Sequence, residues 1–245
     1  MTIRMFDCAP MAPPFPRWRT GGTTLLVETR QGLALVDTGL GLHDHCSPGR
    51  LVRFYRLGFG IPFDPESTAV RQLARLGIPP SEVKHIILTH LHFDHAGGLP
   101  DFPQAQVHLH RREYEAMRRP KTWLELAYDP ADFAHQPRWV FYEQVDTNWL
   151  GLEAIRLPFQ PEMYLIPLFG HTRGHCGIAI REGDGWVFQC GDALPVSAAF
   201  DLTPPLLNRL VLGPHVERLR RWAEAHPQVR LLAGHLWQSA FAAPG

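Results

Sequence analysis

His90-Leu91-His92-Phe93-Asp94-His95 constrains this chain more than any other stretch. Three imidazoles and a carboxylate so close together form a metal-ligand cluster. Neutral imidazole with carboxylate oxygen suits zinc and its borderline neighbours, and no thiolate stands nearby to suggest a closed structural site. Upstream, Val83-Lys84-His85-Ile86-Ile87-Leu88-Thr89 has a short apolar core between Pro79-Pro80 and Gly97-Gly98, which reads as a buried strand. Ligands leaving the end of a rigid strand are held to the tolerance a metal needs. A coincidence of composition would give this pattern in about 0.002 of comparable chains, so we read it as metal-binding.

The 245 residues could form one large domain or two small ones and are enough to bury a sizeable core; we expect a single domain over 1–245. Lys+Arg and Asp+Glu both number 24, so no net field attracts polyanions or anionic lipid. The basic pairs Arg111-Arg112, Arg118-Arg119 and Arg220-Arg221 read as solvated helix faces. Neither nucleic acid nor membrane is an expected partner. Cys8, Cys46, Cys176 and Cys190 show no CxxC spacing, which makes reduced thiols the default. The first residues carry no basic segment followed by an apolar one, and no run reaches membrane-span length. A cytoplasmic protein is the expectation.

Along the chain, strands are expected at 2–7, 23–28 and 33–36, with the proline-rich piece from Ala9 to Pro16, then Trp18, as an extended arm. His43, Asp44, His45 and Cys46 read as a loop rather than a second metal motif. Residues 46–63 carry an apolar insertion, with Phe54, Tyr55, Leu57, Phe59 and Phe63 between glycines and prolines. It is read as a cover over a substrate or as a homodimer surface. Glu66 to Leu76 shows helical spacing, with Ser67 or Thr68 as cap and Gly77 as stop. A strand at 104–109 and a helix at 111–118 follow, and His108 and His110 are expected to be structural. The aromatic, breaker-rich stretch 120–150 reads as a long loop or broken helix over the site, or as a hydrophobic satellite core. Strands return at 153–157, 164–167, 176–181 and 186–190. Pro214 opens a last helix, and 229–233 forms a last short strand.

Four further landmarks follow apolar runs: Asp37-Thr38-Gly39, Gly170-His171-Thr172-Arg173-Gly174-His175, Gly191-Asp192 and Gly234-His235. With the 90–95 cluster, and in this order from about residue 24 to 236, they resemble the motifs of the metallo-β-lactamase-fold hydrolases. Arg173 stands where proline is commoner in that family. The resemblance implies a four-layer αβ/βα sandwich with the site at the edge between two sheets; periodicity alone says only α/β or α+β. It also implies that His90, His92 and His171 hold one metal and Asp94, His95 and His235 another, with Asp192 bridging. The cofactors are then two divalent ions, zinc first. Asp37 becomes a carboxylate behind the ligands, and His175 a packed histidine donating to a carboxylate or carbonyl.

Such a pair of ions activates a shared water near neutral pH, and the resulting hydroxide attacks a carbonyl or phosphoryl centre. Asp94 and Asp192 are the carboxylates expected to matter for catalysis. Within the family, the length, the Leu-His-Phe-Asp-His-Ala-Gly-Gly context and the apolar insertion look most like the quorum-quenching acyl-homoserine lactonases. Those enzymes place a tyrosine three residues past the bridging aspartate, where this chain has Pro195. A small-molecule ester or lactone is therefore the expected substrate, with Tyr55, Tyr128 or Tyr142 as the substitute donor if lactones are turned over well. Thioester hydrolysis of the glyoxalase II type or phosphodiester hydrolysis is the alternative, ahead of a non-hydrolytic metal-binding or redox role.

Overall fold

The computed structural model describes residues 3–13, 19–194 and 215–241, so Pro195 and Pro214 lie outside the described residues. Strands β1 (Ile3–Asp7), β2 (Thr20–Thr29) and β3 (Gly32–Val36) form an antiparallel meander. β4 (Val83–Ile87), β5 (Gln106–His110) and β6 (Arg138–Tyr142) extend it in parallel. Parallel neighbours need crossovers, and these carry α1 (Leu42–Cys46), α2 (Arg50–Phe59), α3 (Ala69–Arg75), α4 (Phe93–Ala96) and α5 (Arg111–Arg118). A second sheet runs antiparallel through β7 (Thr147–Trp149), β8 (Leu152–Leu157), β9 (Met163–Pro167), β10 (Cys176–Glu182) and β11 (Gly185–Gln189). After α6 (Val216–Ala225), β12 (Val229–Leu232) joins it parallel to β11. The chain then returns to the first sheet, where β13 (His235–Trp237) pairs with the first residues of β2.

Alternation along the strands explains the layers. Leu25 and Val27 of β2, Val36 of β3 and Ile87 of β4 turn inward and pack with Ile155, Leu165, Ile178 and Phe188 of the second sheet. Leu26, Leu35 and Ile86 turn the other way, onto Leu73 of α3 and Ala116 of α5. On the far side, Leu219 and Trp222 of α6 join the inter-sheet cluster through Trp149, whose ring lies 5.0 Å from Phe188 and 5.2 Å from Trp222. Each fully buried aliphatic or aromatic side chain stabilises by about 1.5–3 kcal/mol relative to exposure. The result is the expected sandwich: helices, sheet, sheet, helix.

Several local expectations are corrected. His43 to Cys46 is not a loop but most of α1, whose Gly41 N–H donates to Asp44 Oδ2 at 2.8 Å. The helix expected from Glu66 begins as a single 3-10 turn at Pro65–Ser67, capped by Asp64, and becomes α-helical only at Ala69. Only the first half of 120–150 is loop-like, with 3-10 turns at Leu124–Ala127 and Pro130–Phe133; β6 and β7 occupy the second half. Among the described residues, no helix is long and apolar enough to cross a membrane.

Candidate metal centre

β4 ends at Ile87, and the chain leaves the sheet edge through Leu88 and Thr89. His92 is still extended (φ −63°, ψ 150°) before α4 begins, so His90 and His92 precede the helix while Asp94 and His95 lie on it. His171 comes from the loop after β9, Asp192 from the turn after β11 and His235 from the start of β13. These are the expected site residues, and the fold brings all of them to one edge. One donor atom from each of His90, His92, His171 and Asp192 lies within 4.8 Å of the others, and the same holds for Asp94, His95 and His235.

Asp192 faces both groups. Its Oδ2 stands 3.4 Å from His171 Nε2 and 4.0 Å from His90 Nε2, whereas its Oδ1 stands 3.3 Å from His95 Nε2 and 3.7 Å from His235 Nε2. Nδ1 of His92 comes within 3.1 Å of Nε2 of His171, and Asp94 Oδ2 within 3.3 Å of His235 Nε2. Two donors about 2.0–2.2 Å from one tetrahedral zinc stand roughly 3.3–3.6 Å apart, which the Asp192–His95, Asp192–His171 and Asp94–His235 spacings match and the others approach to within a few tenths of an ångström.

The chemistry of the donors supports the same fit. Nε2 of His90, His92 and His95 and Oδ1 of Asp192 are buried without a hydrogen-bond partner. Leaving so many polar atoms unsatisfied is costly unless cations occupy the space between them. Burial, then the neighbouring imidazoles His95, His92 and His171, hold His90 well below the ordinary histidine range, which keeps it neutral with a lone pair to offer. Burial works against ionising Asp94, but His235 and His95 overcome it and bring the carboxyl down to about 2.

A second tier of residues aims these donors. Asp37 sits at φ +56°, a left-handed conformation that aspartate tolerates. Its carboxylate accepts from Thr89 N and Thr89 Oγ1, both at 2.8 Å, and from His95 Nδ1 at 2.9 Å. Having given its proton to Asp37, the Thr89 hydroxyl accepts from His90 Nδ1 at 3.0 Å. Both rings thereby carry their proton on Nδ1 and turn Nε2 inward. His175 corrects an expectation: its Nε2 does not donate but accepts from the Asp192 N–H at 3.0 Å, fixing the backbone that presents the carboxylate. Gly191 permits this approach, because at φ +51° a Cβ there would lie 2.6 Å from that Nε2.

Glu113 was not anticipated. It is a buried carboxylate on α5 that accepts from Leu91 N (3.0 Å), Tyr128 Oη (3.0 Å), Thr172 Oγ1 (2.7 Å) and Gly174 N (3.1 Å). It therefore ties the 90–95 segment to the 171–175 loop. Burial nonetheless pushes its carboxyl up to about 7, against the pull of those donors. Arg173, the departure from the family's proline, has its own partner: Nε donates to the buried Glu125 at 2.7 Å, and Nη2 to the Arg119 carbonyl at 2.6 Å. His108 is structural as expected, sharing hydrogen bonds with His85 (3.0 Å) and Tyr142 (2.9 Å). Burial raises the Cys176 and Cys190 thiols well above their usual range, in keeping with strand-core roles.

The sequence pattern of the metallo-beta-lactamase superfamily matches residues 17–224. A probable metallo-hydrolase of Mycobacterium tuberculosis is 41% identical over 173 residues, covering 69% of this chain but only 55% of that protein. An N-acyl homoserine lactonase of a Bacillus species is 29% identical over 182 residues, which are 74% of this chain and 66% of the lactonase. The chain thus spans little more than half of the mycobacterial relative and about two thirds of the Bacillus one. Among solved structures, an N-acyl homoserine lactone hydrolase with N-hexanoyl-L-homoserine bound at its catalytic metal centre superposes with a TM-score of 0.70. It shares 21% identity, with 98% of this chain and 95% of the other covered. A dizinc quorum-quenching lactonase gives 0.61 at 20% identity, over 89% and 73% of the two chains. At such identities the likeness is one of fold.

Proposed function

We propose, starting from the fact that this chain belongs to the metallo-beta-lactamase superfamily, that it is a dinuclear metal-dependent hydrolase acting on an ester or lactone with an apolar substituent. The observation that carries this reading is Asp192, which gives one carboxylate oxygen to each of two separate donor groups. His90, His92 and His171 would hold one ion and Asp94, His95 and His235 the other, with Asp192 between them. Bound there, divalent ions supply Lewis acidity toward a substrate oxygen and make water a nucleophile near neutral pH.

The chain's own residues do the rest. Asp37 and Thr89 keep His95 and His90 in one tautomer, and His175 keeps Asp192 in place through its backbone. Asp94, held ionised, accepts a hydrogen bond from attacking water and so orients its proton. Tyr55 packs on Phe93, the neighbour of Asp94, with ring centroids 5.1 Å apart, and stacks on Phe59 at 5.8 Å. Tyr55 lies close enough to Asp94 to feel its charge, so its ring offers an apolar surface near that carboxylate, which favours a hydrophobic acyl or aryl group.

Of the tyrosines proposed to replace the one missing at Pro195, Tyr128 is engaged by Glu113 and Tyr142 by His108. Among the described residues nothing hydrogen-bonds the Tyr55 hydroxyl, which leaves it as the candidate donor at the substrate. Loss of one donor of this type costs about 2.7–4 kcal/mol in transition-state stabilisation. The test is a panel of aryl esters, acyl-homoserine lactones, thioesters, β-lactams and phosphodiesters, assayed on zinc-loaded enzyme with metal content measured in parallel. With no phenol in the place lost at Pro195, activated aryl esters are turned over better than lactones, since their leaving groups need no phenolic help; lactone turnover exceeding that of aryl esters, and lost in Tyr55→Phe, identifies Tyr55 as the substitute donor. Turnover confined to thioesters or phosphodiesters would replace this reading.

A further inference from the structure

We propose that His43, Asp44 and Asp132 form a third cation site, separate from the dinuclear centre, that takes one divalent ion of the zinc class and ties α1 to the turn at Pro130–Phe133. One donor atom from each of the three lies within 4.8 Å of the others, and none of them belongs to either group around Asp192. His43 Nε2 stands 3.0 Å from Asp132 Oδ1 and 3.3 Å from Asp44 Oδ1. The nitrogen–oxygen spacings at the dinuclear centre begin at the same 3.3 Å. One imidazole with two carboxylates, none of them sulfur, is a donor set for zinc or a borderline neighbour.

The second observation is the state of the carboxylates. The side chains of Asp44 and Asp132 are both 0% exposed, yet Asp44 Oδ1 and Asp132 Oδ2 lack a hydrogen-bond partner, as does His43 Nδ1. Two buried carboxylates share one imidazole. A protonated His43 balances one of them and the buried Arg56 guanidinium lends Asp44 part of its charge, whereas a divalent ion beside a neutral His43 balances both within the cluster. In the absence of an ion the cluster must hold protons instead: burial pushes both carboxyls up, and the hydrogen bond to Asp132 pulls the His43 imidazole up. Displacing protons of this kind is what metal binding does.

Access and anchoring also fit. The His43 side chain is 27% exposed, so solvent reaches the cluster from its side. The two carboxylates are fixed independently of each other. Asp44 keeps Oδ2 on Gly41 N, while Asp132 belongs to a turn capped by Asp129, whose Oδ1 accepts from Ala131 N at 3.0 Å. A Cβ on Gly97 would come within 2.5 Å of Asp44 Oδ2, so the site backs closely onto the segment following His95. An ion here would brace that segment from behind without touching substrate.

The test compares wild type with His43→Ala and Asp132→Asn, each stripped of metal, reloaded with zinc, dialysed and analysed by plasma mass spectrometry. Circular dichroism checks the fold. Wild type should hold one zinc equivalent more than either variant. Asp192→Asn, whatever it loses at the dinuclear centre, should hold one more than Asp192→Asn combined with Asp132→Asn. Equal zinc in wild type and the folded variants overturns the proposal and leaves His43 as a proton-carrying brace between two aspartates. If neither variant folds, anomalous scattering at the zinc edge from wild-type crystals decides. A peak between His43 Nε2 and the two carboxylates supports the site; peaks at the dinuclear centre alone refute it.

Discussion

Asp192 offers Oδ2 to one set of imidazoles and Oδ1 to the other, so its charge is shared in a way no other side chain here can copy. Replacement by asparagine keeps the shape and the backbone bond to His175 but turns one of those oxygens into an N–H donor facing buried imidazoles. Asp192→Asn should lose turnover by at least ~100-fold, about 2.7 kcal/mol in activation free energy, while the folded state persists. Steady-state kinetics beside metal analysis checks this, and wild-type turnover with both ions retained would show that Asp192 is no bridge. The 90–95 cluster was legible from side-chain type and spacing alone, whereas Asp37, His171, Asp192 and His235 were legible only through the resemblance of their short motifs to those of the family. Glu113 was not, since amid Arg111, Arg112 and Glu115 it looks like one more charge on a solvated helix. Its role exists only once Leu91, Tyr128, Thr172 and Gly174 have converged on it from elsewhere in the chain.

Between elements, Glu113 is the junction that fixes the metal segment after β4 against the loop between β9 and β10. Glu113→Gln substitutes an amide for one carboxylate oxygen, leaving at least one buried donor unsatisfied, at about 1–3 kcal/mol. We expect that loss in urea unfolding, together with weaker zinc retention, because the two loops that it joins carry His90, His92 and His171. Unchanged stability and zinc affinity would make the four hydrogen bonds incidental. Gly174→Ala should act more severely, as a Cβ there would stand 2.0 Å from the backbone nitrogen of Glu113 and force the loops apart. The elements themselves were read well where periodicity was clean, as in β4, α5 and the β10–β11 hairpin. They were missed where tertiary pairing overrode local signals. Arg138–Tyr142 is a strand because β5 offers it a parallel edge, despite its aromatic, breaker-rich surroundings. Likewise α1 is helical because Asp44 and Asp101 accept from Gly41 N and Leu42 N at its start.

At the scale of the molecule, α2 leaves Phe54 71% and Leu57 83% exposed, with Phe63 close by and also exposed. If that face joins two copies of the chain, Phe54→Glu with Leu57→Glu should convert dimer to monomer in light scattering; if it covers substrate, chain-length preference should move instead. No change in either would leave it an inert surface. The two sheets meet at the site. His90, His92, Asp94 and His95 leave the first sheet, His171 and Asp192 leave the second, and His235 lies on the strand that returns from one to the other. Ions held among them would cross-link both halves of the sandwich at an edge where Nε2 of His90, His92 and His95 and Oδ1 of Asp192 are buried without a hydrogen-bond partner. Metal removal should therefore destabilise the whole fold and not the site alone. Ligand linkage gives about 4 kcal/mol when free metal exceeds its dissociation constant ~1,000-fold. In a chain of this length each kcal/mol moves Tm by roughly 2–4 °C, so stripping the ions should lower Tm by about 8–16 °C. Scanning calorimetry of zinc-loaded and chelator-treated protein measures this, with zinc added back to restore the original transition. A Tm unmoved by a chelator that demonstrably empties the sites would mean that apolar packing between the sheets already holds the two halves together without them.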